Sequence, residues 1–214
     1  MTNLKIAVIN LQHGVCNTRG YWQYPLTSWK YCLPLGNRLL KTAEGFVEDQ
    51  QINIALCTED NSIMSNYEMS DKKRHPLESK VIKRVIDQAS IEVNGRKILL
   101  IVAHLSLSSA LRKKQIIEII KIINDTDGPV ILGGDFNCRD NLPAEIEKHT
   151  RLKQAPLKNT YPSWNPKYPL DRIFTSPEFK IKEITAYSSG KLFSDHLPLI
   201  VGVVFNDNKK EINP

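Results

Sequence analysis

The stretch Val130-Ile131-Leu132-Gly133-Gly134-Asp135-Phe136-Asn137 decides the architecture. Its short apolar run reads as a buried strand. The two glycines end that run where the backbone needs conformational freedom or close approach to a ligand. Asp135 and Asn137 lie two residues apart, so both side chains share a face if the strand continues. A strand that delivers an acid and an amide to its C-terminal edge suits phosphate and metal chemistry better than packing.

Working upstream, Ser108 or Ser109 caps a helix to Asn124 that turns Arg112, Ile116, Ile119, Ile120 and Ile123 to the core. Before it, Val81–Glu92 and Lys97–Leu105 are β-rich runs joined at Val93-Asn94-Gly95-Arg96. Asn-Gly between such runs predicts a type I′ hairpin, because both residues tolerate positive φ. Ile98 to Ala103 is apolar throughout, hence central in its sheet, and leads into His104. Residues 60–79 are polar and read as an exposed loop. Ile52 to Glu59 is a strand ending in an acid, and Gly36 to Gln51 is an amphipathic helix. The aromatic segment 21–34, broken by Pro25 and Pro34, is not regular helix for most of its length. Its rings would either stack on substrate or form a satellite core. Leu4 to Asn10 is the first strand.

Downstream, a short helix is expected at 141–149, then a loop at Thr160-Tyr161-Pro162-Ser163-Trp164. Leu170–Phe174 and Lys180–Tyr187 read as strands, and Ser194-Asp195-His196-Leu197-Pro198 opens a last strand through Phe205. Two rounds of strands and helices around an antiparallel hairpin suit an α/β fold with two sheets packed face to face and helices outside. A single domain over residues 1–205 and a polar tail at 206–214 are expected.

Composition sets bounds. The 214 residues, 41% hydrophobic and 24% charged, are those of a globular protein with a substantial core. No apolar run is long enough to cross a bilayer as a helix, and the first strand begins too early to leave room for a signal peptide. A cytoplasmic monomer is expected, with signal-independent secretion left open. Cys16, Cys32, Cys57 and Cys138 lack CxxC spacing and read as reduced structural thiols. The 29 Lys and Arg against 23 Asp and Glu give a net charge of +6. That excess favours anionic partners, nucleic acid and acidic lipid alike, or is simply a solvated lysine-rich face.

Polar residues recur at strand ends: Asn10, Glu59, His104, Asp135 with Asn137, Asp171, and Asp195 with His196. Each alone has a dull reading as a turn former or rim residue. Together they converge, since strand ends at one edge of a sheet share a cleft. Two carboxylates about 4 Å apart repel by roughly 4 kcal/mol at an effective dielectric near 20. A cluster of Glu59, Asp135 and Asp195 therefore needs a cation, a raised pKa or a histidinium. Oxygen ligands without paired cysteines point to Mg²⁺ or Mn²⁺ rather than zinc.

Taken in order, IALCTE at Glu59, AHL at His104, GGDFN at Asp135 and Asn137, LDRIF at Asp171 and SDHLPL at Asp195 and His196 resemble the endonuclease/exonuclease/phosphatase family, relatives of DNase I. The stretches NLQHG, YWQYP, SWKY and TYPSW are similar to a bacterial subgroup of it. The resemblance implies a four-layer α/β sandwich with its active site at one end of the sheets. It also implies Mg²⁺-dependent hydrolysis of phosphodiesters or phosphomonoesters, on nucleic acid, a lipid headgroup or a small phosphate ester. Glu59 would be the main metal ligand, with Asn10 and Asp195 completing the shell. Asp135 would orient or deprotonate the attacking water and Asn137 would hold a phosphate oxygen. His196, paired with Asp171, would bind the phosphoryl group or act as general base, and His104 would serve the leaving oxygen. A catalytically silent binding or scaffold protein that keeps the fold is the alternative. Only 44 residues separate Glu59 from His104, a short segment for the family. Glu78 there is either an acidic partner for the histidine or half of a surface salt bridge.

Overall fold

The computed structural model describes residues 3–11, 18–27, 36–58, 61–78, 84–188 and 194–206. Its strands form two mixed sheets. In the first, β1 (Asn3–Asn10) lies parallel to β2 (Ile54–Thr58). The order is completed by β3 (Ser62–Ser65), β10 (Phe179–Ala186) and β11 (Leu199–Phe205), as β10-β11-β1-β2-β3. The second contains β4 (Met69–Leu77), β5 (Arg84–Val93), β6 (Arg96–His104), β7 (Val130–Asp135), β8 (Lys153–Gln154) and β9 (Asp171–Thr175). Its order is β4-β5-β6-β7-β9-β8, with β6 and β7 parallel.

The alternation of side chains along each strand builds the layers. Leu4, Ile6 and Val8 of β1 meet Ile98, Leu100 and Val102 of β6 in the core between the sheets. The intervening Ala7 and Ile9 pack instead with Ala43 of α2 (Gly36–Asp49). Leu99, Ile101 and Ala103 pack with Ile116, Ile119 and Ile123 of α3 (Ser109–Asn124), and Ile146 of α4 (Ala144–His149) joins them. Helix, sheet, sheet and helix make the four-layer sandwich. The hairpin between β5 and β6 turns at Asn94 (φ 54°) and Gly95 (φ 72°), as the Asn-Gly pair predicts.

Two local expectations change. The glycine pair does not end its strand but lies within β7, which runs on to Asp135. Residues 60–79 are not a loop, since β3 and β4 occupy most of them. Both are edge strands whose polar side chains hide the usual apolar alternation, while backbone pairing with β2 and β5 supplies their hydrogen bonds. Pro25 sits inside the short helix α1 (Gln23–Thr27), tolerated because first-turn N–H groups have no intrahelical partner. Residues 28–35, the start of the expected strand at 81–83, and the tail from 207 lie outside the described residues. Among those described, no helix is long and apolar enough to cross a membrane.

Candidate active site

Strand parity carries the sequence's polar residues to one end of the inter-sheet core. Asn10 follows Leu4, Ile6 and Val8 at two-residue steps, and His104 follows Ile98, Leu100 and Val102 in the same way. Asp135 and Asp171 share the inner face with Ile131 and Ile173. Pairing then aligns them: His104 lies opposite Asp135 on the parallel β6–β7 pair, and Asp135 lies opposite Asp171 on the antiparallel β7–β9 pair.

Gly133 and Gly134 make this alignment possible for different reasons. A Cβ on Gly133 would come within 2.7 Å of Leu56 and 2.8 Å of Val8, so the glycine lets the facing sheet close in. Gly134 has φ +152°, and a Cβ there would lie 1.9 Å from the carbonyl oxygen of Ala103. It keeps β6 and β7 close beside His104 and Asp135. Immediately afterwards Phe136 is fully buried and packs on Phe174, ring centroids 5.5 Å apart. Burial of such a side chain contributes about 1.5–3 kcal/mol and anchors the chain on either side of it.

The resulting cluster is buried and charged. The Asn10 amide donates to Asp135 Oδ2 at 3.0 Å. His104 Nε2 lies 3.4 Å from the same oxygen, and His196 Nε2 lies 3.9 Å from it. His196 Nδ1 is 2.7 Å from Asp171 Oδ2, which also accepts the Thr160 hydroxyl at 2.5 Å. Burial pulls the His196 imidazolium down, but the charges of Asp171, Asp135 and Asp195 and the Asp171 hydrogen bond outweigh it. Its pKa is pushed up to about 10.

Not every expected residue takes the anticipated place. Asn137 does not share a face with Asp135, because β7 stops and Asn137 adopts φ 48°. Its backbone N–H donates to Asp135 Oδ1 at 2.8 Å and its amide donates to Leu105 O at 2.9 Å. Asp195 accepts a hydrogen bond from the Tyr24 hydroxyl. Glu59 lies outside the described residues; the strand before it ends in Thr58, whose buried Oγ1 has no hydrogen-bond partner among the described residues. Glu78 pairs with Lys114 at 2.8 Å, both exposed, and so forms a surface salt bridge.

Sequence reasoning passed over Tyr24, Thr160 and Tyr161. Burial and the neighbouring Asp195 raise the Tyr24 pKa, so the group stays a phenol and a donor. The Tyr161 ring lies 4.8 Å from the His196 ring, centroid to centroid. Ser163 N–H donates to Asp195 O and Leu197 N–H to Thr160 O, which stitch the proline-punctuated loop to the Asp195-His196 turn. Tyr24 and Asp195 are 171 residues apart, and no local pattern signals that contact. Thr160 and Tyr161 stand in a motif stretch, which was their one signal.

A cation would find oxygen donors here. Among the described residues, the acid and histidine side chains of Asp135, Asp171 and His196 offer ligand atoms within 4.8 Å of one another. The 2.7 Å contact between Asp171 Oδ2 and His196 Nδ1 is a hydrogen bond, which commits those two atoms to each other. Asp171 Oδ1, in contrast, is buried and has no hydrogen-bond partner among the described residues. Three buried carboxylates against one raised histidine leave an excess of negative charge, which fits a divalent ion.

The model of the endonuclease/exonuclease/phosphatase family matches residues 52–196, a span holding His104, Asp135, Asn137, Asp171, Asp195 and His196. The chain belongs to that family. Membership supports hydrolysis of phosphate esters as its class of chemistry. Solved structures share the fold of this family member at low identity. A family protein from Bacteroides thetaiotaomicron is 15% identical with TM-score 0.74, covering 96% of this chain and 98% of that one. The same organism's mannosyl-6-phosphatase is 17% identical with TM-score 0.69, covering 94% and 100%. D. rerio TDP2, complexed with a single-strand DNA product, is 15% identical with TM-score 0.70, covering 95% and 100%. No curated protein matches the chain significantly.

Proposed function

We propose that the chain is a Mg²⁺-dependent phosphoesterase, Mn²⁺ serving as a substitute, acting on phosphodiesters or phosphomonoesters at the inter-sheet cluster. The observation that carries this reading is the convergence of Asn10, His104 and His196 on one buried oxygen, Asp135 Oδ2. A purely structural carboxylate needs fewer donors, and a group so surrounded is suited to hold and direct a water. Asn10, Asp195 and Glu59 would hold the metal with Asp135 beside them. The ion would supply Lewis-acid stabilisation of charge growing on the phosphoryl oxygens.

The protein's own groups divide the remaining work. Asp135 orients the attacking water and accepts its proton. The Asn10 amide and the Asn137 backbone N–H fix the two oxygens of Asp135, so the water it directs attacks from one direction. Asn137 would hold a phosphate oxygen with the amide hydrogen that its bond to Leu105 O does not use. His196, kept in orientation by Asp171 and Thr160, is a cation at neutral pH with its pKa near 10. That charge state favours its role as a phosphoryl-binding donor over the role of general base. His104, beside Asp135, protonates the leaving oxygen.

The D. rerio protein with a single-strand DNA product and the mannosyl-6-phosphatase from Bacteroides thetaiotaomicron have this fold, which is compatible with either a nucleic-acid or a smaller phosphate-ester substrate. The test is hydrolysis of bis-p-nitrophenyl phosphate, plasmid DNA, single-stranded RNA and phosphoinositides with Mg²⁺, with Mn²⁺ and with EDTA. Metal-dependent turnover that disappears in Asp135→Asn and His196→Ala, with folded variants, is the expected result. Wild-type-like turnover in either variant would refute the assignment. Inertness toward every substrate would leave a silent binding protein as the better reading.

A further inference from the structure

The aromatic segment reaches the site through one hydroxyl. Tyr21 and Trp22 are exposed, whereas Tyr24 in α1 is half-buried. The Tyr24 ring stacks near Tyr21 with centroids 6.3 Å apart, and Tyr21 meets Trp164 edge-on at 5.1 Å. These contacts seat Tyr24 beside the loop at residues 160–168, where its hydroxyl lies 3.4 Å from that of Tyr161. The same Tyr24 hydroxyl donates to Asp195 Oδ2. The Tyr161 ring in turn packs on His196, so two phenols with adjoining oxygens flank Asp195 and His196.

The backbone and the carboxylate of Asp195 are held by different groups. Two bonds from Ser163 fix the backbone: its N–H donates to Asp195 O at 2.6 Å and its hydroxyl to Ser194 O at 2.8 Å. They do not orient the carboxylate, since rotation about an aspartate Cβ–Cγ bond is broad and not locked in staggered wells. On Oδ1 the Ser194 hydroxyl is a long 3.3 Å away, and its oxygen already accepts the His196 N–H at 3.2 Å. On Oδ2 the Tyr24 phenol makes a charge-assisted bond, the stronger kind. Tyr24 therefore contributes what the turn around Asp195 lacks, a firm anchor for the plane of the carboxylate.

We propose that Tyr24 is a positioning residue for the metal, its hydroxyl fixing the orientation in which the Asp195 carboxylate meets a divalent cation. The proposal rests on the phosphoesterase reading, in which Asp195 is a metal ligand, and adds to that site a residue from a helix remote in the chain. Mg²⁺ demands near-ideal octahedral geometry, so a carboxylate free to turn binds it less well than one held at a fixed angle. A partner that orients a ligating group typically contributes about 10–100-fold to metal affinity or activity. The plainer role for the same contact is to fasten α1 to the Asp195 turn. The two roles part in Tyr24→Phe, which deletes one oxygen and keeps the ring that packs beside Tyr21.

The test is Mn²⁺ binding to the full chain, with the free ion read by EPR, beside the Mg²⁺ dependence of bis-p-nitrophenyl phosphate hydrolysis. Tyr24→Phe is expected to bind Mn²⁺ about 10–100-fold more weakly and to need more Mg²⁺ for half-activation by a similar factor, with kcat recovered at saturating Mg²⁺. A lower melting temperature with unchanged Mn²⁺ affinity reduces the contact to a fastener and overturns the proposal. A raised KM with unchanged Mn²⁺ affinity also overturns it, by making Tyr24 a substrate contact. Adding Tyr24→Phe to Asp195→Asn should cause no further loss of Mn²⁺ affinity, because the hydroxyl acts through the carboxylate; a further loss equal to that in wild type contradicts this. Tyr187→Phe, which loses a hydroxyl bonded to Gln50 at 3.1 Å, should leave Mn²⁺ affinity unchanged, and an equal loss there counts against Tyr24. Mn²⁺ binding needs no turnover, so the two readings fail separately. Tyr24-dependent Mn²⁺ binding without hydrolysis sinks the phosphoesterase and keeps the positioning role. Hydrolysis with Tyr24-independent Mn²⁺ affinity, or with no Mn²⁺ bound, sinks the positioning role alone.

Discussion

Replacing Gly134 by alanine would strike the protein where its two parallel strands deliver His104 and Asp135. The new Cβ would stand 1.9 Å from Ala103 O, 2.9 Å from its carbonyl carbon and 3.0 Å from its nitrogen. All three are backbone atoms, so no side-chain rotation relieves the clash, and φ +152° is itself foreign to an L-residue. Backbone strain of about 1–3 kcal/mol and overpacking of about 1–3 kcal/mol combine to roughly 2–6 kcal/mol. That is a large share of the about 5–15 kcal/mol that holds a typical domain together. Gly133→Ala meets only the ends of the Leu56 and Val8 side chains, at 2.7 and 2.8 Å, and should cost about 1–3 kcal/mol. Gly45→Ala, in α2 with nothing within 4 Å of the new Cβ, should gain about 0.5–1 kcal/mol. Urea unfolding measures all three: with a slope of about 2–3 kcal/mol/M, Gly134→Ala lowers the midpoint by about 0.7–3 M. A smaller loss at Gly134 than at Gly133, or a lower midpoint for Gly45→Ala, would refute this reading of the glycines.

Two further outcomes follow from the buried ionisable groups. The folded pKa of His196, near 10, lies above its ordinary 6.5, so the charged form stabilises the metal-free fold. That contribution is complete below about pH 6.5 and is lost as pH climbs through about 10. Unfolding free energies of the EDTA-treated protein should therefore fall relative to Asp171→Asn across that window; a constant difference between the two proteins contradicts the assignment. Burial pushes Cys57 up to about 12, and burial with the Asp140 carboxylate raises Cys138. Peptide mapping after iodoacetamide at pH 8 should find both unmodified in the native protein and labelled in urea, whereas rapid native labelling of Cys57 would mean that its strand is not closed.

Much of the cluster was legible because it obeys strand parity. A polar residue at the end of an apolar strand inherits the face of the residues two and four before it, which is a local property. Asn10, His104 and Asp135 could be read in this way, Asp171 by the same parity from Ile173 after it, and the hairpin at Asn94-Gly95 follows from backbone chemistry alone. Parity failed at Asn137, where a left-handed residue ended the alternation. It also failed at Gly133 and Gly134, because a glycine demanded by close packing looks the same in sequence as one that ends a strand.

By itself the sequence determined the central strands, the amphipathic helices and the polar residues at one edge, since periodicity and turn chemistry act over a few residues. Only the tertiary structure decided that Tyr24 holds Asp195, that Thr160 shares Asp171 with His196, and that most of the polar residues 62–77 form two edge strands. Those outcomes depend on backbone hydrogen bonds and buried charges supplied by partners distant in the chain. No local pattern of side chains encodes them.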